Sequence, residues 1–284
     1  MAEMNTHIAF VGDMHISPEN AGAERAQSPL DRSARRKRHL ETVLADISRS
    51  KPAALFFGGD NTNQPMDTPG YAQALMAVLE KSPRPWKIIP GNHDVGSTVG
   101  WHHHDPAEMQ RAVYAFRKSF QMDYWVYEAA GFQVIGINSQ LFGSSLAEAR
   151  EQDSWLAEIL QQKQSPDLVR VLFLHTPPYL QNWEDHYSDG SEQMCLNPAA
   201  RASFKDIVLA NPPDILVTAH VHRYWVRREN DWWWIGIPAT ALPLSEMGAV
   251  PDHNVPSGED TLGWVSLERD GAGWKAELQP LPEA

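Results

Sequence analysis

The residues of this sequence that are best suited to chemistry are aspartate, asparagine and histidine side chains that follow short apolar segments. They occur at five places along the chain and are Asp13, His15, Asp60, Asn92, His93, Asp94, His175, His220 and His222. Carboxylate, imidazole and amide oxygen groups are the usual protein ligands of divalent Mn, Fe and Zn ions. The sequence therefore predicts a metal site that is assembled from distant parts of the chain.

Two pairs of these residues stand two positions apart, Asp13 with His15 and His220 with His222. On an extended strand, both side chains of such a pair would face the same side and could bind one ion. Glycines precede several of the candidate ligands and would let the backbone turn sharply beside an ion. Each pair taken alone is more often a set of solvated polar residues, so the prediction depends on the whole ordered set.

The segments that precede the candidate ligands are short, apolar and rich in β-branched residues, which is typical of strands. Several are apolar on both faces, as buried central strands are. Ligands bind just beyond the carboxyl ends of strands in open α/β sheets, so residues far apart in sequence can converge there. The predicted strands are Ile8–Val11, Ala53–Phe57, Trp86–Ile89, Phe132–Ile137, Val169–Leu174, Ile215–Thr218, Trp225–Glu229, Trp232–Ile237, Leu262–Leu267 and Trp274–Leu278, with a hairpin turn at Asn230-Asp231.

Helical periodicity separates the early strands. Apolar residues at spacings of i, i+3, i+4 and i+7, which lie on one face of a helix, are Leu40, Val43, Leu44 and Ile47, and a similar set is Trp155, Leu156, Ile159 and Leu160. Alternating helices and strands followed mostly by strands predict a mixed α/β sandwich, in which two sheets pack face to face and helices lie outside. No linker-like stretch divides the chain, so we expect residues 1–284 to form a single domain.

The composition disfavours several classes of function. Acidic residues outnumber basic ones by 36 to 24, giving a formal net charge of −12, and such a surface repels nucleic-acid backbones at long range. Cys195 is the only cysteine, so no intramolecular disulfide can form, which fits a reducing compartment. The first apolar segment is too short for a signal peptide or a membrane span. We therefore expect a cytoplasmic protein without membrane binding or general nucleic-acid binding.

Several other features allow two interpretations. Trp232–Trp234 could stack against bases, but alternation along a strand favours core packing on at least one face. The run His102–His104 could reach a phosphate or a third ion, or lie in a solvated loop. Residues Trp183–Tyr187, in the long loop Thr176–Pro198, could form the lip of a substrate site or ordinary surface. The basic run Arg35–Arg38 is typical of a solvated helix face.

The ordered set of motifs resembles the calcineurin-like metallophosphoesterase superfamily in every block. The blocks are Asp-x-His at 13–15, Gly-Asp at 59–60, Gly-Asn-His-Asp at 91–94, a single histidine at 175 and His-x-His at 220–222. The resemblance implies the metallo-dependent phosphatase fold, a four-layer αββα sandwich of two mixed β-sheets flanked by helices. It also implies two divalent metal ions per chain, of Mn, Fe or Zn.

The resemblance further implies a role for each residue. Asp60 would bridge the two ions and His93 would act on the substrate as general acid, with Asn63 and Asp94 in the layer around the ligands. One ion would be held by Asp13, His15 and His222, and the other by Asn92, His175 and His220. The ions would together activate hydroxide for attack on phosphorus.

Two positions depart from the commoner family pattern. Ala219 precedes the final His-x-His where glycine is usual, and one methyl group is expected to fit there because a small residue is what the position requires. Asn63 stands where many members have an aspartate that pairs with the catalytic histidine, and an amide cannot supply that charge.

Within the superfamily, the segments 91–96, 123–125, 137–140 and 152–156 resemble the cytosolic proteins that contain a calcineurin-like phosphoesterase domain, a subgroup of serine/threonine phosphatases. The resemblance implies a phosphomonoesterase that acts on a phosphorylated small molecule or a phosphoprotein. A cyclic-nucleotide or other phosphodiesterase is the alternative, since the metal motifs are common to both. A non-catalytic scaffold of this fold would be expected to have lost ligands, and here all of them are present.

Overall fold

The computed structural model describes residues 6–19, 29–97, 104–187, 190–229, 232–247, 254–271 and 273–282. The helices in this part of the chain are α1 (Pro29–Ser50), α2 (Tyr71–Leu79), α3 (Asn92–Val95), α4 (Pro106–Phe120), α5 (Ala147–Gln161), α6 (Pro198–Val208) and α7 (Leu244–Met247). The strands are β1 (His7–Val11), β2 (Leu55–Gly58), β3 (Trp86–Ile89), β4 (Trp125–Ala129), β5 (Phe132–Gly136), β6 (Val169–Leu174), β7 (Ile215–Thr218), β8 (Trp225–Arg228), β9 (Trp233–Gly236), β10 (Gly263–Asp270) and β11 (Gly273–Pro280).

The strands form two mixed sheets. The first has the order β11-β10-β1-β2-β3, in which β1, β2 and β3 are parallel and β10 and β11 are antiparallel to their neighbours. The second has the order β4-β5-β6-β7-β9-β8, in which β5, β6, β7 and β9 are parallel and the two edge strands are antiparallel. Each sheet therefore contains a set of adjacent parallel strands, and the candidate ligands follow the carboxyl ends of strands in these sets.

The apolar faces of the two sheets pack against each other. The core between them includes Phe10 from the first sheet and Phe173 from the second, whose ring centroids are 5.0 Å apart in an edge-to-face arrangement. The opposite face of the first sheet is covered by α1, α2 and α4, and that of the second by α5 and α6. The expected four-layer αββα sandwich is thus confirmed. No helix in the described part of the chain combines the length and apolar character needed to cross a bilayer.

Each segment predicted as a strand contains one, with ends that differ by a few residues. Strand β4 was not among them, because its residues are mostly half-buried and do not form a continuous apolar run. Trp232 and Trp234 are buried whereas Trp233 is 38% exposed, as alternation along a strand predicts. The turn expected at Asn230-Asp231 and the residues His102 and His103 lie outside the described residues.

Candidate metal centre

The candidate ligands converge at the carboxyl ends of strands from both sheets. Strands β1, β2 and β3 of the first sheet and β6 and β7 of the second lead into the loops that carry them. Backbone hydrogen bonds join these loops, since the N–H of Asp13 donates to Gly59 O at 3.1 Å and that of His15 to Asp60 O at 2.8 Å. The N–H of His220 donates to Asp13 Oδ2 at 3.1 Å and links the two sheets. The convergence expected for one open sheet therefore takes place between two.

The backbone at the paired candidate ligands is not an extended strand, although the prediction that residues two positions apart face the same side assumes one. Asp13, His15, His220 and His222 have φ angles of 53°, 47°, 69° and 58°, all in the left-handed region. Residues in the left-handed region turn the chain. The rule that side chains two positions apart face the same side holds for extended strands and does not apply here. Asp13 and His15 nevertheless lie in one group, whereas His220 and His222 lie in different groups. The expectation that each pair binds one ion is therefore wrong for His220 and His222.

The first group consists of Asp13, His15 and His222, all of them buried. His222 Nε2 lies 3.2 Å from Asp13 Oδ1 and 3.3 Å from His15 Nε2. His222 donates its Nδ1–H to the carbonyl of Leu242 at 2.7 Å, which leaves Nε2 with a lone pair towards the group. Burial opposes a charge on His222, but the neighbouring Asp13 outweighs it and raises the pKa of His222.

The second group consists of Asp60, His175 and His220, with Asn92 beside them. His175 Nε2 lies 3.0 Å from His220 Nδ1, 3.1 Å from Asn92 Oδ1 and 3.3 Å from Asp60 Oδ1. His175 donates Nδ1–H to the Gly58 carbonyl at 2.8 Å. Burial and the nearby His175 lower the pKa of His220 to about 4. Four atoms with lone pairs therefore meet at one point.

Asp60 lies between the two groups. Its Oδ1 is 3.3 Å from His175 Nε2, and its Oδ2 is 3.8 Å from His15 Nε2. Burial alone would raise the pKa of Asp60, but the nearby histidines, His175 first, hold it well below its usual range. One carboxylate thus presents one oxygen to each group.

The donor set fits metal ions. Asp13 Oδ1, which faces the first group, is buried without a hydrogen-bond partner in the described part of the chain. In the second group His175 Nε2 and His220 Nδ1 face each other while the other nitrogen of each ring donates to a backbone carbonyl, so their close approach is favourable only with a cation between them. Carboxylate oxygens and imidazole nitrogens that converge in this way are typical ligands of transition-metal ions and zinc. Backbone carbonyls accept the second ring N–H of His175, His220 and His222 and so orient these three rings.

His93 lies beside the centre and is more exposed than the ligands, with 19% of its side chain accessible. Its backbone N–H donates to Asp60 Oδ1 at 2.8 Å, and its Nε2 is 3.7 Å from Asp60 Oδ2. Its Nδ1 lies 3.3 Å from the backbone carbonyl of Asn63. His93 also forms a third compact group with His15 and Asp60. Geometry alone therefore allows His93 either to donate a proton or to bind an ion.

Asn63 reaches His93 through its backbone and not through its side chain. The side-chain Oδ1 of Asn63 instead accepts a hydrogen bond from Arg36 Nη1 at 3.3 Å. The basic run of α1 is therefore not wholly a solvated face, since Arg36 is half-buried and its side chain reaches the loop beside His93. The side chain at position 63 contacts Arg36, whereas only the backbone of this residue reaches His93. An asparagine here in place of an aspartate therefore affects Arg36 more directly than it affects the ring of His93.

Asp94 holds two of the loops together. Its fully buried carboxylate accepts hydrogen bonds from the backbone N–H groups of Gly91, Asn61 and Thr62 and from the side chains of Asn61 and Thr62, at 2.7–3.1 Å. Burial and the charge of Asp60 raise the pKa of Asp94, against the effect of these hydrogen bonds. Asp94 therefore positions the loop after β2 against the loop after β3 and does not itself belong to any of the three groups.

Close backbone approaches explain two of the glycines. A Cβ atom at Gly91 would lie 2.3 Å from Asp60 Oδ1, so any side chain there would displace the carboxylate of Asp60. A Cβ atom at Gly12 would lie 3.2 Å from the methyl group of Ala219. Ala219 is buried in the core between the sheets, and its methyl group fits there because residue 12 facing it has no side chain.

A cavity of about 90 Å³ opens beside the centre and reaches residues that the sequence argument did not assign. Ser139, Gln140 and Thr176 line it, whereas the residues Trp183–Tyr187 do not, and Trp183 and Tyr187 pack against the core of the second sheet. The carbonyls of Gly58, Gln193 and Leu242 that orient the rings were also missed. Every residue has a carbonyl group, so no sequence signal could have identified these three.

The comparisons with known proteins agree with this geometry. A family model described as calcineurin-like phosphoesterase matches residues 6–224. Purple acid phosphatase 21 of Arabidopsis thaliana is 27% identical over 171 residues, which are 58% of this chain and 35% of that protein. The chain therefore matches about a third of the length of this curated relative.

Several solved structures share the fold. Purple acid phosphatase PPD1 from yellow lupin has 16% identity and a TM-score of 0.60, over 93% of this chain and 49% of that one. A dimetal phosphatase from Danio rerio has 11% identity and a TM-score of 0.55, over 94% and 93% of the two chains. GAP50, described as the anchor in the inner membrane complex of Plasmodium, has 11% identity and a TM-score of 0.62, over 97% and 84%.

Proposed function

The chain belongs to the calcineurin-like phosphoesterase family, and from this premise we propose that it is a two-metal phosphomonoesterase. The family depends on a dinuclear metal centre, and the similarity to a phosphatase supports the proposal that the chain is a hydrolase that acts on phosphate esters. The proposal also covers the roles of individual residues, the preference for monoesters over diesters and the kind of alcohol that leaves.

The observation that carries the proposal is the position of Asp60. Its two carboxylate oxygens face two separate groups of buried ligands, Asp13 with His15 and His222 on one side and His175 with His220 on the other. A single carboxylate can hold two ions a few ångströms apart only from such a position. Asn92 Oδ1, 3.1 Å from His175 Nε2, completes the second group.

Two bound ions would supply hydroxide near neutral pH and neutralise charge on the phosphoryl group. The protein contributes the placement of the ligands, because each of three histidines is fixed by a hydrogen bond to a backbone carbonyl. Asp94 and the glycine at position 91 keep the Asp60 loop close to the loop that carries Asn92. The centre is thus held in shape by groups that do not bind the ions.

His93 is proposed as the general acid. Its Nδ1–H donates to the Asn63 carbonyl, so the ring presents Nε2 to the cavity, which it helps to line. A proton on Nε2 can be transferred to the oxygen of the leaving alcohol as the phosphorus–oxygen bond breaks, a contribution that is typically worth 10²–10⁴-fold in rate. A general acid of this kind matters most for alkyl esters, whose leaving groups are poor.

Three observations support a phosphatase over its alternatives. The segments between the metal motifs resemble a phosphatase subgroup, and the curated relative is named a phosphatase. The fold also occurs in GAP50, which is described as an anchor, but the candidate ligands in this chain are complete and converge. We also propose that the chain forms one domain, since both sheets contribute to a shared core. We propose the cytoplasm as its location, since the single cysteine Cys195 fits a reducing compartment.

A substrate panel tests the proposal. The purified protein is loaded with Mn²⁺ and assayed with 4-nitrophenyl phosphate, a monoester, and with bis(4-nitrophenyl) phosphate, a diester with the same leaving group. We expect hydrolysis of the monoester to exceed that of the diester, and EDTA to abolish both activities. A clear preference for the diester would show that the protein is a phosphodiesterase, and activity without metal would contradict the two-metal centre.

A further inference from the structure

The cavity beside the metal centre has a second wall that contributes no ligand to the ions. On one side the cavity meets His93, Asp60 and the other residues of the centre, and on the far side it meets polar and apolar residues of two other loops. The cavity measures about 90 Å³, whereas pockets that enclose drug-sized ligands measure roughly 300–1,000 Å³. The space between the centre and the far wall therefore suits a compact group.

Three neighbouring buried, uncharged side chains of this wall form a group that we call the polar ledge: Ser139, Gln140 and Thr176. Gln140 Nε2 donates to Thr176 Oγ1 at 2.7 Å and to Ser139 Oγ at 3.2 Å. The backbone N–H of Thr176 also donates to Ser139 Oγ, at 3.0 Å. Both N–H groups of the amide are thus used, and its oxygen remains to accept a hydrogen bond. Each hydroxyl already accepts, so each has its own proton to donate.

The polar ledge is held rigidly from behind. Asn138 Oδ1 accepts from the backbone N–H of Gln140 at 3.0 Å, and Asn138 Nδ2 donates to Asp123 Oδ2 at 2.8 Å. Asp123 in turn pairs with Arg117 Nε at 2.6 Å. Gln152 exchanges two hydrogen bonds with the backbone of Asn138. A buried network of this kind fixes the orientation of the groups in front of it, which favours recognition of one hydrogen-bonding pattern.

The charge of the cavity limits what can enter. Among its described lining residues there is no lysine and no arginine, and the one carboxylate is Asp60 of the centre. A second anionic group on the substrate would lose its hydration without gaining a cationic partner outside the metal centre, which is unfavourable in a buried site. Phe142, Met194 and Leu196 complete the wall with apolar surface, which suits carbon atoms between polar groups.

We propose that the polar ledge binds the leaving group of the substrate, and that this group is a compact, uncharged alcohol that carries at least one further hydroxyl. The inference rests on the proposed phosphomonoesterase function. In the reaction, water adds to phosphorus, the bond from phosphorus to the ester oxygen breaks, and that oxygen takes up a proton. The products are inorganic phosphate and the alcohol, whose remaining hydroxyl donates to Gln140 Oε1 and accepts from the hydroxyls of Thr176 and Ser139.

A pair of matched esters tests the charge preference. Glycerol 3-phosphate and 3-phosphoglycerate have leaving groups of the same length. The leaving group of glycerol 3-phosphate ends in a hydroxymethyl group, and that of 3-phosphoglycerate ends in a carboxylate. With the Mn²⁺-loaded protein we expect kcat/KM to be at least about tenfold higher for glycerol 3-phosphate. The free-energy cost of burying a carboxylate without a partner is larger than the net contribution of one hydrogen bond. Equal values, or a preference for 3-phosphoglycerate, would overturn the inference while leaving the phosphomonoesterase function in place.

Two substitutions test the polar ledge itself. Thr176→Val removes the hydroxyl at nearly constant shape, and Thr176→Ser retains it. We expect Thr176→Val to lower kcat/KM for glycerol 3-phosphate about tenfold more than for phenyl phosphate, whose leaving group has no second hydroxyl, and Thr176→Ser to preserve the ratio of the two. Equal losses on both esters in Thr176→Val would mean that the change acts through the adjacent His175, and the ledge would not be a recognition surface.

Discussion

The facing ring nitrogens of His175 and His220 lie 3.0 Å apart, and each ring donates its other N–H to a backbone carbonyl. Two lone pairs at this distance repel unless a cation lies between them. A proton can take that place in the metal-free protein. Burial disfavours a protonated His175, but the attraction and the hydrogen bond of the Asp60 carboxylate together have the larger effect and raise the pKa of His175 to about 9. A metal ion that binds here must therefore displace a proton.

We expect the affinity for Mn²⁺ to rise with pH. Below pH 9 the metal-free protein holds the His175 proton, and each unit of pH makes its release about tenfold easier, so the dissociation constant falls as pH rises towards 9. His220, with its pKa lowered to about 4, contributes no such dependence above pH 5. Calorimetric titration at pH 6.5 and 8.5, in buffers of different ionisation enthalpy, measures both affinity and proton release. Equal affinities without proton release would contradict this prediction.

Asp60→Ala is expected to empty both metal positions. The substitution removes one ligand from each group and leaves the histidines of the second group without a carboxylate. Elemental analysis should show a fall from about two ions per chain to below one, with activity near background. Asp123→Ala is the matched control for metal content alone, since Asp123 is also buried but pairs with Arg117 outside the centre. If Asp60→Ala retained two ions, the bridging position would be wrong.

The sequence predicts which candidate ligands lie together, but it does not predict their backbone conformation. Short apolar segments followed by Asp, Asn or His predict strand ends and metal-binding chemistry, because both depend on residue type. The left-handed backbone of His220 and His222 does not follow from residue type, since non-glycine residues rarely adopt it. It is stabilised by contacts between loops, such as the N–H of His220 on Asp13 Oδ2, that only the folded chain provides.

His93→Ala separates the two roles that the geometry allows for this residue. If His93 is the general acid, the variant should keep both ions and lose roughly 10²–10⁴-fold in kcat on an alkyl phosphate. On 4-nitrophenyl phosphate, whose leaving group barely needs a proton, the loss should be small. His186→Ala, at an exposed position away from the cavity, is the control. Loss of an ion in His93→Ala would instead assign His93 to the third group as a ligand.

A double-mutant cycle tests the contact between Gly12 and Ala219. Gly12→Ala would place a Cβ atom 3.2 Å from the Ala219 methyl group and 3.0 Å from Ile237 Cδ1. Overpacking of this kind typically lowers the free energy of unfolding by about 1–3 kcal/mol. Ala219→Gly removes one of the two crowded contacts, so Gly12→Ala should cost less in that background. Urea denaturation of the four proteins measures the coupling, and additive effects would show that the methyl group at 219 is not accommodated by the glycine.

The direction of the Asn63 side chain also depends on a tertiary contact, because nothing in the local sequence shows that Arg36 lies beside it. Asn63→Asp introduces the carboxylate that is commoner in the family. A carboxylate near His93 would stabilise its protonated form and move the alkaline limb of the pH–rate profile to higher pH, by one unit or more where the two groups are within about 4–6 Å.

In this protein the new carboxylate would face the guanidinium group of Arg36, which lies 3.3 Å from the present side-chain oxygen. Its charge would be largely neutralised, so we expect Asn63→Asp alone to shift the alkaline limb by less than about one unit. In the Arg36→Met background the carboxylate loses that partner, and the same substitution should shift the limb further towards alkaline pH. The measurement is the pH dependence of kcat/KM for an alkyl phosphate in the four proteins, with metal content determined in parallel. If both backgrounds gave the same shift with both ions bound, Arg36 would not control the charge beside His93.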